Sequence, residues 1–226
     1  MLFMTYYSDN LNSQFIKLTH CGRLEEFCAD HPEKTIQPIL DFLNDPGDSN
    51  VLLIRSDIGN GGTHLLSSAA NLLIDRGELI MCVSSEKVLL HVVNMQEEMR
   101  RYMAKCTFVC IDYFDYLLGH SEPLKDLCSM LNQFLSDGGK VILQSSKGIE
   151  AADIMRYLNA RNVVQVTTDF PTLETLKRIA LQHVEPAVVE DLADSAFATT
   201  ENSVRLFLGI MISEDAKRKL KEMEAR

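Results

Sequence analysis

An apolar run, Val51-Leu52-Leu53-Ile54, leads through Arg55-Ser56-Asp57-Ile58 into Gly59-Asn60-Gly61-Gly62-Thr63-His64 and then into a stretch whose apolar residues keep helical spacing. The order reads as strand, glycine-rich loop, helix. Such a loop suits one kind of chemistry. Glycines let successive backbone N–H groups turn toward an anion, and the free N–H groups and dipole of the following helix favour negative charge. Gly59, Gly61 and Gly62 supply the turn, while Leu65, Leu66, Ala69, Leu72 and Leu73 form one apolar helix face to lie on a sheet. Further along, Thr107-Phe108-Val109-Cys110-Ile111 ends in Asp112. A carboxylate leaving the end of a buried strand can meet the Thr63 hydroxyl in a Mg²⁺ shell beside bound phosphates.

The loop keeps only part of the phosphate-loop pattern G-x-x-x-x-G-K-[ST]. Ser56 stands where the first glycine belongs and Gly62 where the lysine belongs, so only Thr63 of the closing pair is intact. That lysine holds the β- and γ-phosphates, and its loss removes the strongest single attraction for a triphosphate. Taken alone, the loop reads equally well as an ordinary glycine-rich turn from strand to helix, with His64 as packing.

The positioning elements follow from periodicity. Leu79–Val83 is a short apolar strand, Glu86–Lys105 is helical in composition, and the run into Asp112 is another strand. Leu124, Leu127, Cys128, Leu131, Phe134 and Leu135 share one face of a helix that Gly138-Gly139 ends; Val141–Ser146 and Val163–Val166 are the remaining strands. Strand and helix in alternation predict a parallel sheet with helices on both faces. After Pro171 the pattern is helical throughout, giving a small helical domain whose last helix becomes almost wholly charged from Glu214. Two short helices are expected before the sheet, one carrying Leu24, Phe27 and Cys28 and one carrying Ile36, Ile39, Leu40 and Leu43, separated by His31-Pro32. The expected division is an extension over 1–48, an α/β core over 49–170 and a helical lid over 171–226.

Composition limits the function. The 226 residues are 46% hydrophobic and 24% charged, enough apolar material for a core. A net charge of −10 argues against a surface built to coat nucleic acid, so no specific duplex DNA binding is expected. No membrane span or signal peptide is evident, and the expected setting is cytoplasmic. The 6 cysteines form no C-x-x-C pair and read as free, mostly buried thiols.

The order of landmarks resembles the AAA+ module of the DnaA family of bacterial replication initiators, and most nearly its shorter, Hda-type regulatory relatives. The likeness spans roughly residues 49–212. It is carried by Gly59–Leu65 against G-x-G-K-T-H-L, by Val109–Gly119 against L-I-D-D-I-x-x-x-x-G, by the Gly139–Ser146 strand, by Pro171–Lys177 against P-x-L-E-T-R and by Asn202–Leu206 against N-V-R-E-L. The resemblance implies that Gly59, Asn60, Gly61, Gly62, Thr63 and His64 face the nucleotide. It places Asp112 with Thr63 at the Mg²⁺, Ser146 at sensor 1 and Arg205 at sensor 2. Arg161, in Leu158-Asn159-Ala160-Arg161, falls at the position of the arginine finger offered to a neighbouring subunit. Tyr113 replaces the second acid, which in the family orients the attacking water, and a tyrosine is no base at neutral pH.

The expectation is therefore a DnaA/Hda-like AAA+ protein acting through protein–protein contacts in the regulation of replication initiation. Its nucleotide site is degenerate, holding ADP or ATP with Mg²⁺ weakly or holding none, and active ATP hydrolysis is not expected. An AAA+ partner such as the initiator is implied, and the replication sliding clamp is a further candidate if Gln14-Phe15-Ile16-Lys17-Leu18 is a docking peptide. A weakly active nucleotide switch, in which another cation replaces the lysine, and a helicase-loader-like adaptor are the alternatives.

Overall fold

The structure, a computed structural model, describes residues 23–24, 27–91, 96–200 and 203–224. The Gln14–Leu18 stretch lies outside them. Five strands, β1 (Val51–Ser56), β2 (Ile80–Ser84), β3 (Phe108–Asp112), β4 (Lys140–Ser145) and β5 (Val163–Thr168), form one sheet in the order β2-β3-β4-β1-β5. Every pairing is parallel. The inner strands are buried on both faces, which is why they read as unbroken apolar runs rather than as alternating ones. The register sets Ser56 beside Thr168, Arg55 beside Ser145 and Ser84 beside Asp112. The strands' C-terminal ends therefore share one edge, the place where α/β sheets bind ligands.

Helices cover both faces, as expected. On one face, Leu52, Ile54, Cys110 and Ile142 pack against Ile39 and Phe42 of α2 (Gln37–Asn44) and against Leu65, Ala69 and Leu73 of α3 (Gly62–Asp75). The residues between them, Val51, Leu53, Val109, Ile111, Val141 and Leu143, point the other way. They meet Leu127 and Leu131 of α6 (Ser121–Ser136) and Ile154 of α7 (Ala151–Tyr157). The segment between β2 and β3 holds α4 (Ser85–His91) and α5 (Gln96–Met103).

Three helices follow β5: α8 (Leu173–Ala180), α9 (Pro186–Thr199) and α10 (Val204–Glu224). They have their own core of Leu176, Ala180, Val188, Ala193, Phe207 and Met211. Along the largely exposed, charged end of α10, Lys219 bridges Asp215 and Glu185, and Arg218 reaches Asp191.

Two local features differ from expectation. Phe27, Cys28 and Ala29 have no regular structure, and the first α-helix among the described residues, α1 (Pro32–Thr35), begins at the His31-Pro32 pair expected to separate two helices. Proline has no N–H to lose at the first helical turn, so Pro32 opens a helix rather than interrupting one. The α7 helix is an addition to the expected elements. Its start is marked by Glu150-x-x-Asp153, in which the Glu150 N–H donates to Asp153 Oδ2 at 3.0 Å. Among the described residues no helix is long and apolar enough to cross a membrane. None of the described cysteines is in a disulfide, with Cys82, Cys110 and Cys128 buried and Cys28 and Cys106 partly so.

Candidate functional site

The loop leaves β1 at Ser56, which is locked: Thr168 Oγ1 donates to Ser56 Oγ at 2.7 Å, and Ser56 Oγ donates to the Asp57 carbonyl at 3.1 Å. Gly59 and Gly61 adopt φ of +90° and +92°, the left-handed region in which any side chain is strained. Gly61 caps α3 without any side-chain hydrogen bond, so the first-turn N–H groups of this 14-residue helix stay available to an anion. Gly62 opens the helix. A Cβ built there would fall 2.7 Å from Ser56 Cβ and 2.8 Å from Gln144 Nε2. The lysine position of the pattern is thus closed to any side chain in the present arrangement.

Asp112 ends β3 almost fully buried, with its Oδ1 3.2 Å from Thr63 Oγ1. Tyr113 Oη also lies 3.2 Å from Thr63 Oγ1. Burial pushes the Asp112 carboxyl up to about 6, against the Thr63 hydroxyl and the Tyr113 backbone, which favour its ionised form; Asp115 adds to the rise. Tyr113 is the one described non-glycine residue at positive φ, 58°. Its N–H donates to Gln144 Oε1 at 3.0 Å, which holds the turn from β3. The Thr63 and Asp112 oxygens have the hard chemistry that Mg²⁺ takes. Among the described residues, no cluster of three or more metal-ligating side chains exists.

The loop faces a cleft of about 1190 Å³ between the sheet edge and the helical domain. Gly59, Asn60, Gly61, Gly62, Thr63, His64, Asp112, Ser146 and Arg205 all line it. Ser146 is placed by its N–H, which donates to Asp115 Oδ1 at 3.1 Å. His64 packs its ring 5.6 Å from that of Phe27; burial, and secondarily His183 on the opposite wall, lowers its pKa. Among the described residues, Asp30, Asp57, Glu86, Asp112, Asp115 and Asp169 line the cleft with Lys34 and Arg205 as permanent cations, and Lys147 pairs with Asp57 and Asp169 at its edge. That balance suits a polyphosphate poorly. Arg161 is not brought to this cleft. It is exposed ahead of β5, its backbone N–H donating to Asn50 Oδ1 at 2.9 Å, at the end of the sheet opposite the loop.

Three residues of the site have roles that no motif announces, although Ser203 lies within the Asn202–Leu206 stretch and Gln144 within the Gly139–Ser146 strand. Phe27 presses its ring edge to 3.0 Å from where a Gly61 Cβ would stand, and Ser203 Oγ lies 2.6 Å from where a Gly59 Cβ would stand. Both contacts join distant stretches and leave no local signal. Gln144 fills the space beside Gly62, and here a signal exists: a lone amide in the apolar run of β4.

The bacterial DnaA ATPase domain matches residues 31–167 of this chain. The chromosomal replication initiator protein DnaA of Aliarcobacter butzleri is 24% identical over 194 residues, covering 80% of this chain and 44% of that protein. The same initiator of Wolinella succinogenes is 26% identical over 186 residues, covering 77% and 43%. The chain spans less than half the length of these relatives. Among solved structures, domain III of the Thermotoga maritima replication initiation protein DnaA superposes with a TM-score of 0.72 at 22% identity, covering 88% of this chain and 90% of that one. The replication initiator DnaA bound to AMPPCP and single-stranded DNA superposes at 0.66 and 18% identity, covering 95% and 70%. The parallel sheet, the loop at its C-terminal edge, the helical lid and the match across most of the core together make this chain a member of the bacterial DnaA ATPase domain family, an AAA+ domain related to replication initiation.

Proposed function

We propose that this chain is an Hda-type regulator: a DnaA-like AAA+ domain with a degenerate nucleotide site that acts on another protein in the control of replication initiation. One observation carries the reading. Gly62 has no room for a Cβ between Ser56 and Gln144, so the phosphate-binding cation is absent and its place is filled. Tyr113 in place of the second acid argues in the same direction, against turnover. The division into an extension over 1–48, a core over 49–170 and a lid over 171–226 belongs to the same proposal, as does a cytoplasmic setting.

A subunit that has lost its own site can still serve a neighbour's. A guanidinium stabilises developing phosphate charge in trans and asks nothing of the donor's own loop. Arg161 is exposed and far from its own cleft, which suits that role. Arg161→Ala is expected to change folding stability by less than about 0.5 kcal/mol, as surface substitutions usually do, and to abolish stimulation of ATP hydrolysis by a purified initiator partner. Full stimulation by the variant would remove the finger role. Capture of the replicative helicase instead of the initiator in a pull-down would favour the adaptor alternative. Docking to the sliding clamp through Gln14–Leu18 is tested by clamp pull-down with Gln14→Ala.

Residual nucleotide binding is supported by the uncapped start of α3 and by Thr63 beside Asp112, which would hold Mg²⁺. With no lysine for the γ-phosphate, that affinity favours the diphosphate. Calorimetric titration is expected to show ADP no weaker than ATP, and sub-micromolar ATP binding would overturn the proposal.

A further inference from the structure

We propose that Lys147 fastens the phosphate loop to the hinge of the lid in place of a nucleotide, so that the cleft of this chain is closed without any ligand. The inference rests on the reading that the loop has lost its phosphate-binding lysine. Lys147 follows Ser146 just beyond β4. Its Nζ lies 2.9 Å from Oδ2 of Asp57, in the loop, and 2.9 Å from Oδ1 of Asp169, which joins β5 to the lid. Without a cation between them, these two carboxylates would push the loop and the hinge apart. Burial works to lower the Lys147 pKa, but its hydrogen bonds to Asp169 and Asp57 outweigh it and hold the group above the ordinary lysine value. Its backbone is fixed as well: the Arg55 guanidinium bonds both the Lys147 carbonyl oxygen and, at 2.7 Å, Glu150 Oε1.

The lid is seated on the body at both its first and its last helix. Ahead of α8, the Thr172 N–H and hydroxyl donate to Asp30 at 2.7 and 2.6 Å. At the start of α10, the Val204 N–H donates to Asn60 Oδ1 at 3.4 Å, and Ser203 packs directly on Gly59. Lys147 differs from these contacts in carrying a charge between two carboxylates, so it is the tie whose loss turns attraction into repulsion.

Hydrogen–deuterium exchange on the full chain tests this, read in peptides covering residues 57–62 and 203–209. In the wild type, with Mg²⁺ present, exchange is expected to be the same with and without ATP at micromolar concentration. Lys147→Ala is expected to speed exchange in both peptides by about three- to tenfold, in keeping with two partly exposed ion pairs. Lys147→Arg is expected to restore protection, and Asp169→Asn, which removes one pair, to give a smaller increase should Lys147→Ala fail to fold. Unchanged exchange in folded Lys147→Ala, with no ATP effect in the wild type, would overturn the fastening role and leave the lost-lysine reading standing. Slower exchange in the wild-type loop already at micromolar ATP would overturn both.

Discussion

Gly62→Lys, the substitution that nominally restores the phosphate-loop pattern, is expected to lower stability by about 1–3 kcal/mol and to confer no ATP affinity. The reason is a collision at the first side-chain atom. Ser56 Cβ would stand 2.7 Å from the new Cβ, and both positions are set by the backbone, so no choice of rotamer separates them. The end of β1 would have to move, and it is held by hydrogen bonding of Ser56 to Thr168 at 2.7 Å. The second obstacle, Gln144 Nε2 at 2.8 Å, can swing aside only at the expense of the hydrogen bond that Tyr113 gives its Oε1. Ser56→Gly with Gly62→Lys is therefore expected to recover most of the lost stability. Adding Gln144→Ser gives the lysine stem its path, and this triple variant is the one expected to gain ATP affinity. Urea denaturation and calorimetric titration of the single, double and triple variants check the order; a single variant as stable as wild type that also binds ATP would contradict it.

The coupling of Ser56, Gly62 and Gln144 shows where the sequence stops speaking. The strands are legible because a parallel strand covered on both faces must be an apolar run, and each run here ends in a polar residue at the sheet edge. The helical lid is legible because Phe207 and Met211 keep the spacing of one buried face. Gly62 is legible only as a missing charge. That it is also a required absence depends on Ser56, packed beside it, and on Gln144, from a distant strand, and such contacts leave no periodic trace. Phe27 departs from its expected helix for a related reason: its apolar side chain belongs to the loop at Gly61, a tertiary contact that overrides the local pattern. Asp57, Lys147 and Asp169 likewise read as unrelated surface charges until the fold brings them together.

Asp112→Asn is expected to stabilise the protein by about 1–3 kcal/mol near pH 7.5, an unusual sign for a change in a candidate site. Burial raises the Asp112 carboxyl from 3.8 to about 6, while in the unfolded chain it keeps its ordinary value. The folded state thus holds a proton that the unfolded state has released between those two values. The group's contribution is full below pH 3.8, falls as pH rises toward about 6, and above that remains as a constant penalty for burying the carboxylate. A tenfold change in proton affinity corresponds to about 1.36 kcal/mol, so the full rise sets an upper bound of about 3 kcal/mol, which relaxation around Thr63 reduces. Asparagine keeps a carbonyl oxygen to accept from the Thr63 hydroxyl and carries no charge to bury. Denaturation curves of wild type and variant should diverge between about pH 4 and 6.5 and run parallel above that. Millimolar Mg²⁺ provides the functional arm. If Thr63 and Asp112 hold the metal, it should stabilise the wild type, whose carboxylate it neutralises, and leave Asp112→Asn unmoved. Equal effects of Mg²⁺ on both proteins would mean that the acid at the end of β3 no longer serves a cation.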